Sequence, residues 1–263
     1  MSLTDADKKW WHPVPQVVSW LARQIPAGAK VLEIGPSRFQ FPRATTFVDF
    51  AEPIGVPLDR IVKCDVASEP LPFADKEFDF CYIRHGLEDM FNPYLAMTEM
   101  SRVAKAGYIE TPSPIADMCR GVDGTSPRYR GYPHHRYFVW EHMGELRFVA
   151  KYPLCEFLKI NEDTLANALR GGPKHWNTYY LWDGAVNWKH RQNGIDYDLI
   201  RDYPMVVQDA LRQGEASNNA FWHDIPERDE IPAMDQAFTH HGPLTDGQIA
   251  EAAHRLRYGS DAR

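Results

Sequence analysis

Val14, Val17, Val18, Leu21 and Ile25 recur at the three- and four-residue spacing of one helical face, and Pro26 and Gly28 close the run. This pattern predicts a helix over 14–25. Short apolar runs follow. They predict strands over 30–34, 45–49, 61–65 (IVKCD), 78–84 (FDFCYIR) and 107–111 (GYIET). Asn92 as N-cap, with Pro93 at the first helical position, predicts a helix that runs to about residue 105. Strands ending in an acid or polar residue, with helices and loops between them, predict an α/β fold with a mainly parallel sheet and helices on both faces.

Roughly ten residues, GPSRFQFPRAT, join the first two strands, close to the minimum for a parallel crossover. They hold two prolines and few helix formers, so the crossover is expected to be extended. Beyond residue 115 the pattern changes. RYFVWE (136–141) and ELRFVAK (145–151) predict strands, and LWDGAVNW predicts a hairpin with Asp183-Gly184 as a type I′ turn. That register places Tyr179, Leu181, Val186 and Trp188 on one face. Residues 202–213 and 247–257 predict helices, and 223–236 an exposed loop. The division expected is a ligand-binding core over 1–115 and a C-terminal α+β appendage over 116–263 that packs on it and faces substrate.

Composition narrows the partners. The chain has 263 residues, 44% of them hydrophobic and 25% charged, as in a globular protein with a sizeable core. A net charge of −7 argues against nucleic acid, which needs a basic face. The most basic local stretch holds Arg120, Arg128, Arg130 and Arg136, which suit an anionic substrate group. No apolar run reaches the roughly 18 residues of a membrane span, and the N-terminus is polar, so no membrane partner is expected. Cys64, Cys81, Cys119 and Cys155 lack CxxC spacing, which points to a reducing, cytoplasmic compartment. The oligomeric state is not legible.

The chemistry concentrates in two places. In KVLEIGPSRFQFPRATTFVDF (30–50), a strand carrying Glu33 breaks at Gly35, and a second strand ends in Asp49. Strand, glycine turn, strand, terminal acid is how an open α/β sheet builds a nucleoside pocket, with the acid on the ribose hydroxyls. The second place is RYRGYPHHRYFVW (128–140), with two His, three Arg and three Tyr between Arg128 and Tyr137. Histidine suits proton removal near neutral pH, so His134 and His135 are candidate bases. Adjacent histidines on a strand would point to opposite faces, so no metal site is expected there. His240-His241 has no partner acid at fixed spacing. Glu88-Asp89 reads as a solvated pair at a helix start.

The ordered series over about 28–115 resembles the class I S-adenosylmethionine-dependent methyltransferases of the small-molecule type. The acid-x-Gly-x-Gly turn is matched by Glu33-Ile34-Gly35-Pro36-Ser37, and the acid closing strand two by Asp49. The acid after strand three is matched by Asp65. The LPF-x-D-x-x-FD run is matched by Leu71 to Asp79, and His-x-Leu-Glu by His85-Gly86-Leu87-Glu88. Glu99, Arg102, Val103, Lys105 and Gly107 match the run before strand five. The resemblance implies a Rossmann-like core with S-adenosylmethionine as cofactor. It places Glu33 near the methionine portion, Gly35 and Ser37 in the turn, Asp49 on the ribose, and Asp65 with the Val66 backbone at the adenine. His85 then opens the methyl-transfer zone, as a base, a cofactor neighbour or a packed imidazole. The implied activity is methyl transfer to an O or N atom of a small molecule. Ser37 and Phe39 stand where the family favours glycine. A second reading therefore stays open, a non-catalytic or regulatory protein on the same fold. A nicotinamide oxidoreductase is disfavoured, because Gly35 is the only glycine of its turn.

Overall fold

The computed structural model describes residues 12–37, 39–51, 58–191 and 198–225, together with Leu3 and Val56. The predicted helix 247–257, His240-His241 and most of the predicted loop 223–236 lie outside the described residues. The first helix, α1 (Pro15–Gln24), precedes β1 (Val31–Ile34), β2 (Thr46–Asp49), β3 (Ile61–Lys63) and β4 (Phe78–Arg84). Then come α2 (Pro93–Val103), β5 (Ala104–Pro112) and the short α3 (Pro114–Met118). The later part holds β6 (Tyr137–His142), β7 (Glu145–Ala150), α4 (Glu162–Arg170), β8 (Asn177–Asp183), β9 (Trp188–His190) and α5 (Leu199–His223).

Six strands form one sheet in the order β3-β2-β1-β4-β5-β8. The first five are parallel and β8 runs antiparallel against β5. β1 lies inside the sheet between β2 and β4, with all four residues buried and Glu33 the one polar side chain among them. On one face Val31 packs with Val14, Val17, Val18 and Leu21 of the α1 segment. On the other, Leu32 and Ile34 meet Met97, Met100 and Val103 of α2. The described residues of the crossover between β1 and β2 form no helix, as its prolines predict.

α2 starts where expected, with the Asn92 side chain accepting from Leu95 N at 3.3 Å. It ends earlier, and β5 begins at Ala104 with no intervening loop. Arg102 explains part of this arrangement. It donates to the Leu71 and Phe73 carbonyls at 2.8 and 2.7 Å and pairs with Glu99, whose carboxylate also takes Leu71 N at 2.8 Å. The LPF run is thus clamped to the helix. Lys76 Nζ closes the same corner, donating to Ser101 O, Ala104 O and Gly184 O at 2.6, 2.9 and 2.6 Å.

The predicted hairpin at Asp183-Gly184 does not form. β8 joins the large sheet, whereas β9 runs parallel to β7 in a separate three-stranded sheet, β6-β7-β9. A type I′ turn needs positive φ at both central residues. Here Gly184 has φ +71, while Asp183 is not left-handed. Val186 instead seats in the core, its amide bonded to Ser101 Oγ at 2.9 Å. The shared face is therefore Tyr180, Trp182, Val186 and Trp188, while Leu181 is exposed. The type I′ turn lies at Met143-Gly144 (φ +54 and +75), joining β6 to β7 with His142 opposite Glu145. The predicted helix 202–213 is the middle of the longer α5, capped by the Asp198 side chain on the amides of Ile200 and Arg201. No helix among the described residues is long and apolar enough to cross a membrane.

Candidate functional site

Gly35, Asp49, Asp65 and His85 all stand at the C-terminal ends of parallel strands, where open α/β sheets bind ligands. Gly35 has φ +65, donates its amide to Val48 O at 2.8 Å, and would meet nothing within 4 Å if it carried a Cβ. The turn is thus left-handed and open to the outside. Ser37 Oγ accepts from Phe39 N at 3.0 Å, tightening the start of the crossover. Glu33 is buried, and its carboxylate takes Phe41 N at 2.8 Å. Burial pushes the Glu33 carboxyl up to about 8. Its contact is with the crossover, which it pins beneath the turn.

Asp49 is half-buried at the end of β2, with Oδ1 accepting from Ala51 N at 3.0 Å, and burial raises its carboxyl. Asp65 folds back on its own turn, taking Ala67 N at 3.1 Å and Ser68 Oγ at 2.7 Å. Val66 is buried beneath it in the core. An open, left-handed glycine beside a strand-end carboxylate suits a nucleoside with ribose hydroxyls, so this edge fits the cofactor that the sequence implies.

A second group gathers beyond β4 and β5. His85 is left-handed (φ +50), its amide bonded to Glu110 O at 2.8 Å and its Nε2 2.9 Å from Asn177 Oδ1. Burial, with Arg84 beside it, holds the imidazole well below its usual range. It is therefore neutral at pH 7. His135 is buried and sets Nδ1 2.9 Å from Asp117 Oδ1, on α3. Burial opposes the charge on both groups, yet the pairing outweighs it: Asp117 lies well below the carboxylate range, helped by Lys151 at 2.9 Å, and His135 lies above its ordinary value. Gly131 lets this fit close, since a Cβ there would stand 2.4 Å from Asp117 Cα. His134 is largely exposed beside it, with ring centroids 4.7 Å apart.

Two expectations change here. His134 and His135 lie in a turn that precedes β6, not on a strand, so they do not point to opposite faces. Each sets Nε2 3.9 Å from the same Asp89 Oδ1. Glu88 is not solvated: it is 1% exposed, and neither carboxylate oxygen has a hydrogen-bond partner among the described residues. Burial pushes it up to about 8. The arginine-rich stretch is also largely committed. Arg120 pairs with Glu156 at 2.7 Å, buried Arg130 holds Met118 O at 2.7 Å, and Arg136 holds Asp89 O at 3.0 Å. Sequence reasoning did not single out Asp117, Lys151 or Asn177. For Asp117 a signal was present, an acid inside the apolar run PIADMC.

Residues 16–109 match the family model described as a methyltransferase domain. The likeness is confined to this segment, well under half of the chain. No curated protein matches the chain. Among solved structures, YcgJ of Bacillus subtilis is 19% identical over 38% of this chain and 50% of its own, with a TM-score of 0.32. A SAM-dependent methyltransferase of Thermotoga maritima, described as a possible histamine N-methyltransferase, is 19% identical over 39% of this chain and 52% of its own, at 0.31. One from Mesorhizobium loti is 15% identical over 65% and 76%, at 0.33. The chain thus spans about half the length of the first two. The matched segment includes Gly35 and Asp49, and the Asp117–His135 pair lies beyond it.

Proposed function

We propose that the protein transfers a methyl group from S-adenosylmethionine to an oxygen or nitrogen of a small molecule, with His135 as proton acceptor. The observation that carries this reading is the buried 2.9 Å pair between His135 Nδ1 and Asp117, set beyond the strand ends that face the cofactor edge. When bound, the cofactor supplies an electrophilic methyl on a sulfonium. Gly35 and Ser37 would line its amino-acid end, Asp49 would accept from the ribose hydroxyls, and Asp65 with the Val66 backbone would meet the adenine. Glu33 supports the turn from beneath through Phe41 N.

Asp117 accepts the Nδ1 proton of His135 and so turns the Nε2 lone pair outward. An acceptor hydroxyl or amine gives its proton to that lone pair as it attacks the methyl carbon, and alignment supplies much of the rate. His85, neutral and anchored on Asn177, follows β4 directly, at the same end of the sheet as Gly35.

Calorimetric titration with S-adenosylmethionine and S-adenosylhomocysteine tests the cofactor edge. Micromolar binding is expected, weakened about 10- to 100-fold in Asp49→Ala through loss of charge-assisted hydrogen bonds. Unchanged affinity in the variant would sink the ribose assignment. No binding by the parent chain would favour the non-catalytic reading of the fold.

A further inference from the structure

From the geometry of one side-chain cluster, we infer that Asp89, His134 and His135 form a binding site for a divalent transition-metal ion of the zinc class. The three donor atoms lie within 4.8 Å of one another, with each histidine Nε2 3.9 Å from Asp89 Oδ1. Bonds of about 2.1 Å at a tetrahedral angle set two donors about 3.4 Å apart, so each Nε2 must close on Asp89 Oδ1 by about 0.5 Å and the widest pair by up to about 1.4 Å. The exposed His134 ring can supply that movement by rotation about its side-chain bonds.

The site is built from two segments that the fold already holds together. Arg136 N donates to Glu88 O at 2.7 Å and Arg136 Nε to Asp89 O at 3.0 Å, locking the turn after β4 to the turn before β6. His135 cannot swing away, because Asp117 holds its Nδ1 at 2.9 Å and Tyr132 packs on its ring at 4.7 Å. A carboxylate on the far nitrogen of a ligating histidine is the usual support of a metal site. Glu88, in the same turn, is fully buried with both oxygens unpartnered among the described residues.

The donor set decides the ion. Two imidazoles and one carboxylate suit zinc, cobalt(II) or iron(II), whereas magnesium and calcium prefer all-oxygen shells. Three protein ligands leave at least one position open, and the exposure of His134 and Asp89 puts it toward solvent. This site goes beyond the proposed methyl transfer. The His135 Nε2 lone pair cannot hold an ion and take a proton at once, so binding and turnover are measured separately.

The test uses the full chain without a polyhistidine tag, stripped with a chelator and free of cofactor. It is titrated with zinc by calorimetry and with cobalt(II) by visible absorption. One zinc per chain is expected, with micromolar or tighter affinity, and magnesium should not compete. His134→Ala and Asp89→Asn, both at exposed positions, should each weaken zinc at least 10-fold while circular dichroism stays unchanged. Asp117→Asn, a positioning change, should weaken it 10- to 100-fold and shift the cobalt spectrum. Absence of zinc binding, or equal affinity in His134→Ala and the parent, would overturn the site. Neither result bears on cofactor binding, which the Asp49→Ala titration reads.

Discussion

Glu88 and Asp117 are both buried carboxyls, and their surroundings drive them in opposite directions. Asp117 has His135 and Lys151 within 2.9 Å and stays ionised, whereas Glu88 has no hydrogen-bond partner among the described residues and burial pushes it up to about 8. For Glu88 the folded chain keeps a proton that the unfolded chain, titrating near 4.5, has already lost. Stability therefore falls as pH rises from about 4.5 to 8. Glu88→Gln should remove that cost. We expect a gain on the order of 3 kcal/mol at pH 8 and almost none at pH 4.5, read from thermal melts. An equal gain at both pH values would contradict the assignment. His135 carries the complementary expectation. Its imidazole is raised, so a rate that needs its free base should climb with pH and level off above the ordinary histidine range. Asp117→Asn should lower the plateau about 10²- to 10⁴-fold and move the rising limb to lower pH, since the largest influence opposing burial is then gone. A limb that stays in place would show that another group takes the proton, with His85 the next candidate.

At the scale of elements, period and punctuation were legible where a segment's own chemistry decides its form. Pro93 after Asn92 marked the start of α2, the prolines of the crossover ruled out a helix there, and FDFCYIR is β4 residue for residue. The hairpins were not legible in the same way. Asp183-Gly184 has the better turn chemistry, yet Trp182 and Val186 each find a place in the core, and that burial overrides the local preference. Met143-Gly144 takes the turn although methionine is a poor left-handed residue. Met143 is 87% exposed, so little packing is lost on replacing it. Met143→Asn should stabilise the protein by about 0.5–1 kcal/mol, seen as a higher urea midpoint. A lower midpoint would show that the side chain matters in ways its exposure does not indicate.

Across the whole molecule, the strand ends that carry Gly35, Asp49 and Asp65 were legible because each closes a short local apolar run, whereas the Asp117–His135–Asp89 group assembles over longer separations. The two halves also share more than a boundary. β8 completes the large sheet, and Leu146 and Phe148 of β7 enter the same core as Leu32 and Ile83. Lys76 joins them directly, with one ammonium on the end of α2 and on Gly184 beyond β8. Three carbonyls at three corners match the three protons of an ammonium and not the flat fork of a guanidinium. Lys76→Arg should therefore lower the unfolding midpoint by about 1 kcal/mol although the charge is kept, with tryptophan fluorescence and circular dichroism still falling together. An unchanged midpoint would mean that charge alone suffices there. Position 76 thus works as a fastener whose shape matters more than its sign. Acetylation of that single surface amine would loosen the later half from the earlier one without altering a single core residue.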